Sequence, residues 1–142
     1  MTPDSQQKLK EILLDDEGLK LFPYTDTTNH TSIGIGRNLS QRGISSQECA
    51  QFFENDVNYF TSKLISKLYF FGSLSDARQC ALINMCFNLG VNGFFEFTSA
   101  LDFLKDGKYD SAADAVLDSL AAKQNPNRYK RISDMIRSGE FL

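Results

Sequence analysis

A mostly helical α+β fold with one small hairpin is predicted by three observations. Apolar residues recur at three- and four-residue spacing over most of the 142-residue chain. Strand-like alternation is confined to one early stretch, LFPYTDTTNHTSIGIG, where a run of turn residues separates two short segments. Prolines and glycines stand at the predicted starts and stops of helices rather than inside them. The length suits one domain. Its hairpin lobe is expected over about 15–45, its helical lobe over about 1–14 and 46–142, with a cleft between them.

The elements follow in order. Thr2-Pro3 is an N-cap followed by proline at the first helical position. Leu9, Ile12 and Leu13 mark the stripe expected to be buried, and Gly18 stops the helix just after Glu17. Leu19 to Tyr24 alternates as a strand, and Pro23 confines it to a sheet edge. TDTTNHT is turn chemistry, and SIGIG is the return strand, with two glycines where another group must approach the backbone closely. Ser45-Ser46-Gln47-Glu48 fits a capping box. Phe53, Val57, Phe60, Leu64 and Leu68 then form the stripe of one long amphipathic helix. Ser75 or a near neighbour starts the helix ARQCALINMCFNL, apolar almost all round and so expected to be central, with Gly90 as its stop. Helices over about 94–104 and 109–122 follow, and Asn125-Pro126 caps a last helix that ends near Gly139.

At 42% hydrophobic and 23% charged residues the composition is that of a soluble globular protein. Three cysteines argue against a disulfide framework, and Cys80 and Cys86 read as inert buried thiols. With one histidine and no CxxC pair, neither a metal nor a cofactor is expected. The N-terminus has no signal-peptide pattern and no window is long enough for a membrane span, so the chain is expected to stay in the cytoplasm where it is made. A net charge of -3 argues against nucleic acid as a partner.

The chemistry is concentrated in residues 15–37. Glu17 ends a helix, and Asp26 returns in a hydroxyl-rich turn. Hydrolysis of a glycosidic bond needs an acid that protonates the leaving oxygen and a second carboxylate that attacks the sugar or directs a water. The negative end of a helix, a neighbouring Asp16 and the apolar Leu19, Leu21 and Phe22 would help Glu17 keep its proton. A polar turn keeps Asp26 ionised. Acids beside glycines and in turns are commonplace, and these two alone would be read as solvated side chains.

The spacing of Glu17, eight residues, Asp26, five residues, Ser32, with IGIG directly after, resembles the active-site loop of phage-type lysozymes, the T-even phage enzymes of glycoside hydrolase family 24. ISSQECAQFF, ARQCALINMCFNLG, GFFEFTSALDFLKDGKYDSAA and NPNRYKRI are similar to that family in the same order. The resemblance implies a lysozyme-like fold and a muramidase that cleaves, with inversion, the β-1,4 bond between N-acetylmuramic acid and N-acetylglucosamine. Peptidoglycan is then the partner. A monomer is expected, held in the host cytoplasm until a holin-type pore lets it reach the wall. Glu17 takes the proton-donor position and Asp26 that of the second carboxylate. Ser32 takes the place of the usual threonine, with Thr31 as the rival register. Arg128 matches an arginine that pairs with the catalytic glutamate, and Phe87 an aromatic of the saccharide cleft. Asn38, Ala100 and Ala115 stand at other sugar-contacting positions, of which only Asn38 keeps a polar side chain. Arg37 replaces a histidine, so the family's ion pair there cannot form in the same way. His30 reads as an exposed turn residue, with a lesser chance of touching substrate. Lys123, Arg128, Lys130 and Arg131 form either a solvated basic face or a contact for wall-peptide carboxylates. The alternatives are a wall-binding or regulatory protein without turnover, and a lytic transglycosylase that forms an anhydro product.

Overall fold

The computed structural model describes residues 1–142 and divides the chain into two compact units, Met1–Phe52 and Phe53–Leu142. The first begins with α1, Pro3–Glu17. The Thr2 hydroxyl accepts from the Ser5 amide, proline occupies the first turn, and Gly18 takes a positive φ of 75° at the C-cap. A three-stranded antiparallel sheet follows in the order β1 (Lys20–Thr25), β2 (Thr31–Gly34), β3 (Arg37–Asn38). β1 is an edge strand, as Pro23 required. Its ladder with β2 pairs Lys20 with Gly34 and Tyr24 with Ser32, so β1 bulges between Lys20 and Tyr24, the stretch that holds Pro23. β3 and the single turn of α2 (Leu39–Arg42) are additions to the hairpin read from the sequence.

One expectation is corrected in this unit. The stripe of Leu9, Ile12 and Leu13 is exposed, and α1 has no buried residue. α1 belongs to the same compact unit as the sheet. A unit of this size has little interior, and its only fully buried side chain is Ser32.

The Ser45 capping box forms as read. Ser45 Oγ accepts from the Glu48 amide at 3.1 Å, and Glu48 Oε1 accepts from the Ser45 amide at 3.3 Å. It opens α3, Ser46–Lys67. Arg37 makes an ion pair of its own here, with Nη1 2.7 Å from Glu48 Oε2 and 3.0 Å from the Gly43 carbonyl oxygen. The Arg37 guanidinium, followed by the Ser45 hydroxyl and amide, lowers the Glu48 carboxyl from 4.5 to about 2. A carboxylate lowered on folding stabilises the fold above its unfolded pKa and ceases to do so as pH falls through its folded one. The melting-temperature advantage of the wild type over Glu48→Gln is therefore expected to be full above pH 4.5 and to vanish towards pH 2. Thermal melts of both proteins across that window test it; an advantage independent of pH would contradict it.

The second unit holds the hydrophobic core. Its helices are the remainder of α3, α4 (Asp76–Phe95), α5 (Thr98–Lys105), α6 (Tyr109–Leu117), α7 (Leu120–Gln124) and α8 (Pro126–Ser138). Leu64, Phe71, Leu82, Met85, Phe94, Val116, Tyr129, Ile132 and Ile136 are almost completely buried. α8 packs against α4, α6 and α7, which places its apolar stripe at the centre. Arg78 closes the C-terminal end of α8. Its Nε donates to the Ile136 carbonyl at 2.7 Å and its Nη2 to that of Arg137 at 3.1 Å. Its guanidinium also lies 3.4 Å from the centroid of the Tyr109 ring.

Several local readings change here. Gly90 interrupts α4 with φ 71° and ψ 168°, but helix resumes beyond it and runs to Phe95. The helix expected over 109–122 is two, because Ser119 caps α7 by accepting from the Ala122 amide at 3.1 Å. Asn125 precedes α8 without a capping hydrogen bond from its side chain. Of the α3 stripe only Leu64 and Leu68 are buried, while Phe53 is exposed. Cys80 is exposed, unlike Cys86, whose thiol burial pushes up to about 12.

Candidate active site

Asp26, Ser32 and Glu17 all belong to the first unit. Asp26 opens the β1–β2 connection, which closes by hydrogen bonds from the Asp26 amide to the His30 carbonyl at 2.8 Å and from the Asn29 amide to the Asp26 carbonyl at 3.1 Å. Asn29 supplies the left-handed residue of this turn, with φ 64°. The turn directs three donors at one carboxylate oxygen. Asp26 Oδ1 accepts from the Thr28 amide at 2.9 Å, the Thr28 hydroxyl at 2.8 Å and the His30 amide at 2.9 Å. The other oxygen, Oδ2, accepts from the Ser32 hydroxyl at 3.2 Å. The His30 amide foremost, then the Thr28 hydroxyl, with smaller help from the Thr28 amide and Ser32, hold the Asp26 carboxyl below its ordinary range against slight desolvation.

Ser32 is 3% exposed and sits opposite Tyr24 in the ladder, the register that turns its hydroxyl towards Asp26. Thr31, the rival position, is exposed, and its amide donates to Ser40 Oγ at 2.9 Å.

Glu17 is the last residue of α1 and is exposed. Leu19, Leu21 and Phe22 are exposed as well, so the apolar surround expected for it is not provided by them. What it does meet is Gly36. A Cβ on Gly36 would lie 3.1 Å from Glu17 Cγ, Cδ and Oε2, and Gly36 has φ 69°. The close approach expected of the IGIG glycines is thus made at Gly36, whereas Gly34, with φ 70°, has nothing within 4 Å of that position.

Asn38 is occupied as the cap of α2. Its Oδ1 accepts from the Gln41 amide at 3.0 Å and its Nδ2 donates to Gln41 Oε1 at 3.3 Å. Phe87 and Arg128 belong to the second unit. Phe87 is 41% exposed and meets Phe60 edge to face with ring centroids 4.9 Å apart. Together with Phe53, Val57, Cys80, Ile83, Asn84 and Arg128 it lines an open groove of about 520 Å³. Arg128 donates from Nε to Asn84 Oδ1 at 2.8 Å and from Nη2 to the Asn84 carbonyl at 3.1 Å. Lys130 of the basic cluster is paired with Asp134 at 2.7 Å.

Thr28 and the His30 amide went unread in the sequence as partners of Asp26. Their signal is an aspartate followed two residues later by a hydroxyl residue in a turn, the pattern by which an Asx turn forms.

The arrangement presents one exposed carboxyl beside a glycine, and one carboxylate with three donors on Oδ1 and a hydroxyl at Oδ2. The family model for phage lysozyme matches residues 15–129, which include all three of these side chains. The chain is 29% identical to a probable T4-type lysozyme 1 of Dictyostelium discoideum, over 92% of the chain and 94% of that protein. A probable T4-type lysozyme 2 of the same organism is 28% identical with the same coverage. The pre-baseplate central spike protein Gp5 of Enterobacteria phage T4 is 28% identical over 94% of the chain but only 28% of its own length.

Proposed function

The chain belongs to the phage lysozyme family, and from that premise we propose that Glu17 is its general acid and that Asp26 with Ser32 directs the attacking water. The protein is a peptidoglycan-hydrolysing lysozyme, a glycoside hydrolase. In the proposed reaction Glu17 gives its proton to the glycosidic oxygen as the bond from that oxygen to the sugar C1 breaks. Water forms the new bond to C1 and loses its proton, first towards Asp26 and then to solvent, from which Glu17 is reprotonated.

The observation that carries this reading is the saturation of Asp26 Oδ1 by three donors, with Ser32 at Oδ2. A carboxylate held below its ordinary range stays charged at neutral pH but is a weak base. Its main task is then to orient the water and to stabilise positive charge developing on the sugar, not to remove a proton early. Attack by water from the face opposite Glu17 gives inversion. Phe87 and Asn38 are the proposed sugar contacts and Arg128 a supporting cation. Monomeric action, and release from the host cytoplasm through a phage pore protein, complete the reading; no helix is long and apolar enough to cross a membrane.

Digestion of purified cell walls tests it. Muropeptides with a reducing N-acetylmuramic acid end are expected, released first as the inverted anomer. Asp26→Asn, which keeps the size of the side chain and removes its charge, is expected to lower the rate by about 10²-fold or more. Anhydro products lacking one water would identify a transglycosylase instead. Wall binding without any released fragment would identify a non-catalytic protein.

A further inference from the structure

The Thr28 hydroxyl has one proton and two polar neighbours. Asp26 Oδ1 lies 2.8 Å away on one side and His30 Nδ1 2.8 Å away on the other. An ionised carboxylate can only accept, so the hydroxyl proton goes to Asp26. The hydroxyl oxygen then accepts from His30, and Nδ1 is the ring nitrogen that carries the proton. Neutral His30 consequently has a bare Nε2, which faces Gln41 Nε2 at 3.5 Å, a donor. Gln41 Oε1 in turn accepts from Asn38 Nδ2 at 3.3 Å. Four hydrogen bonds thus point the same way, from the cap of α2 through Gln41, His30 and Thr28 into Asp26. Each donor polarises the next, so the last bond gains from those before it.

We propose that His30 is a positioning residue of the lysozyme reaction: its Nδ1–H commits the Thr28 hydroxyl to Asp26 Oδ1, which leaves Oδ2 as the oxygen turned to Ser32 and the water. This deepens the reading of Asp26 given above and rests on it. Without the Nδ1 donor the Thr28 hydroxyl is free to rotate and to donate to solvent. Asp26 keeps its backbone donors, since the His30 and Thr28 amides do not depend on the ring, but loses the fixed direction of its charge.

Three variants separate the ring's donor from its bulk. Asparagine places an amide nitrogen near the Nδ1 position, glutamine near the Nε2 position, and phenylalanine fills the volume with no donor. Carbon-13 NMR of protein labelled at aspartate carboxyls, with Asp26→Asn to identify the signal, follows the Asp26 titration in the folded full chain. His30→Phe and His30→Gln are expected to raise it, and His30→Asn to bring it part of the way back. In wall hydrolysis the first two are expected to lose about three- to tenfold in kcat at unchanged KM, again partly restored by His30→Asn. If His30→Phe does not fold, Thr28→Val removes the same last bond and is expected to raise the Asp26 titration by at least as much. An Asp26 titration and kcat indifferent to His30→Phe would overturn the role of His30, as would a His30→Asn variant that behaves like His30→Phe. The NMR titration needs no turnover. A relay that responds as expected beside a fully active Asp26→Asn enzyme would therefore reject the catalytic reading of Asp26 alone.

Discussion

Glu17→Gln is expected to yield a folded protein whose wall-lysing rate is lower by about 10²- to 10⁴-fold, the usual worth of a positioned general acid. The substitution is nearly isosteric. Glutamine can occupy the same place beside Gly36 and still donate a hydrogen bond to the glycosidic oxygen, but it cannot transfer a proton. The loss should therefore fall on kcat, with substrate affinity little changed. Glu17 is exposed and ends its helix, so the fold should tolerate the change within about 0.5 kcal/mol. Turbidity loss of purified walls, measured together with a thermal melt, separates these effects. Full activity in the folded variant would remove Glu17 from the mechanism.

Gly36→Ala is also expected to lower the rate strongly, for a reason that leaves Glu17 chemically intact. The added methyl would stand 3.1 Å from three Glu17 atoms, and the far end of a flexible side chain is what would yield. A displacement of the order of 1 Å at a reacting group can cost about 10²-fold in rate. The alanine must also adopt a φ of 69°, a strain of about 1–2 kcal/mol. Gly34→Ala is the matched control. It has the same backbone strain at φ 70° but no neighbour within 4 Å. Both variants should melt earlier than the wild type, whereas Gly36→Ala alone should lose most of its kcat. Equal activity in the two would mean that Gly36 does not position the acid.

The legibility of the chain followed the range of each interaction. The Thr2 and Ser45 caps, the Ser75 start and the Gly18 stop were readable because donor and acceptor lie within three or four residues of one another. The break at Asp118-Ser119 carried the same kind of signal, but the apolar period running through it hid the cap. β3 and α2 are too short to show a period at all. On α4 an almost continuous apolar surface gave no means of telling the buried Cys86 from the exposed Cys80 and Phe87. The candidate site divides in the same way. Glu17, Asp26 and Ser32 could be picked out by spacing and resemblance, whereas Asn38 took up its capping role only when α2 formed.

By itself the amino-acid order determined both ends of α1, the capped start of α3, the edge position of β1 and the Asx turn that loads Asp26 Oδ1, because backbone geometry over a few residues decides each of them. Only the tertiary structure decided that Ser32 meets Oδ2, that Glu17 leans on Gly36, that Arg37 finds Glu48, and that His30 stands between Thr28 and Gln41. Those contacts depend on strand register and on the path of the chain between distant positions. A one-residue slip of β2 would turn Ser32 away from Asp26 while leaving every local signal in the sequence unchanged.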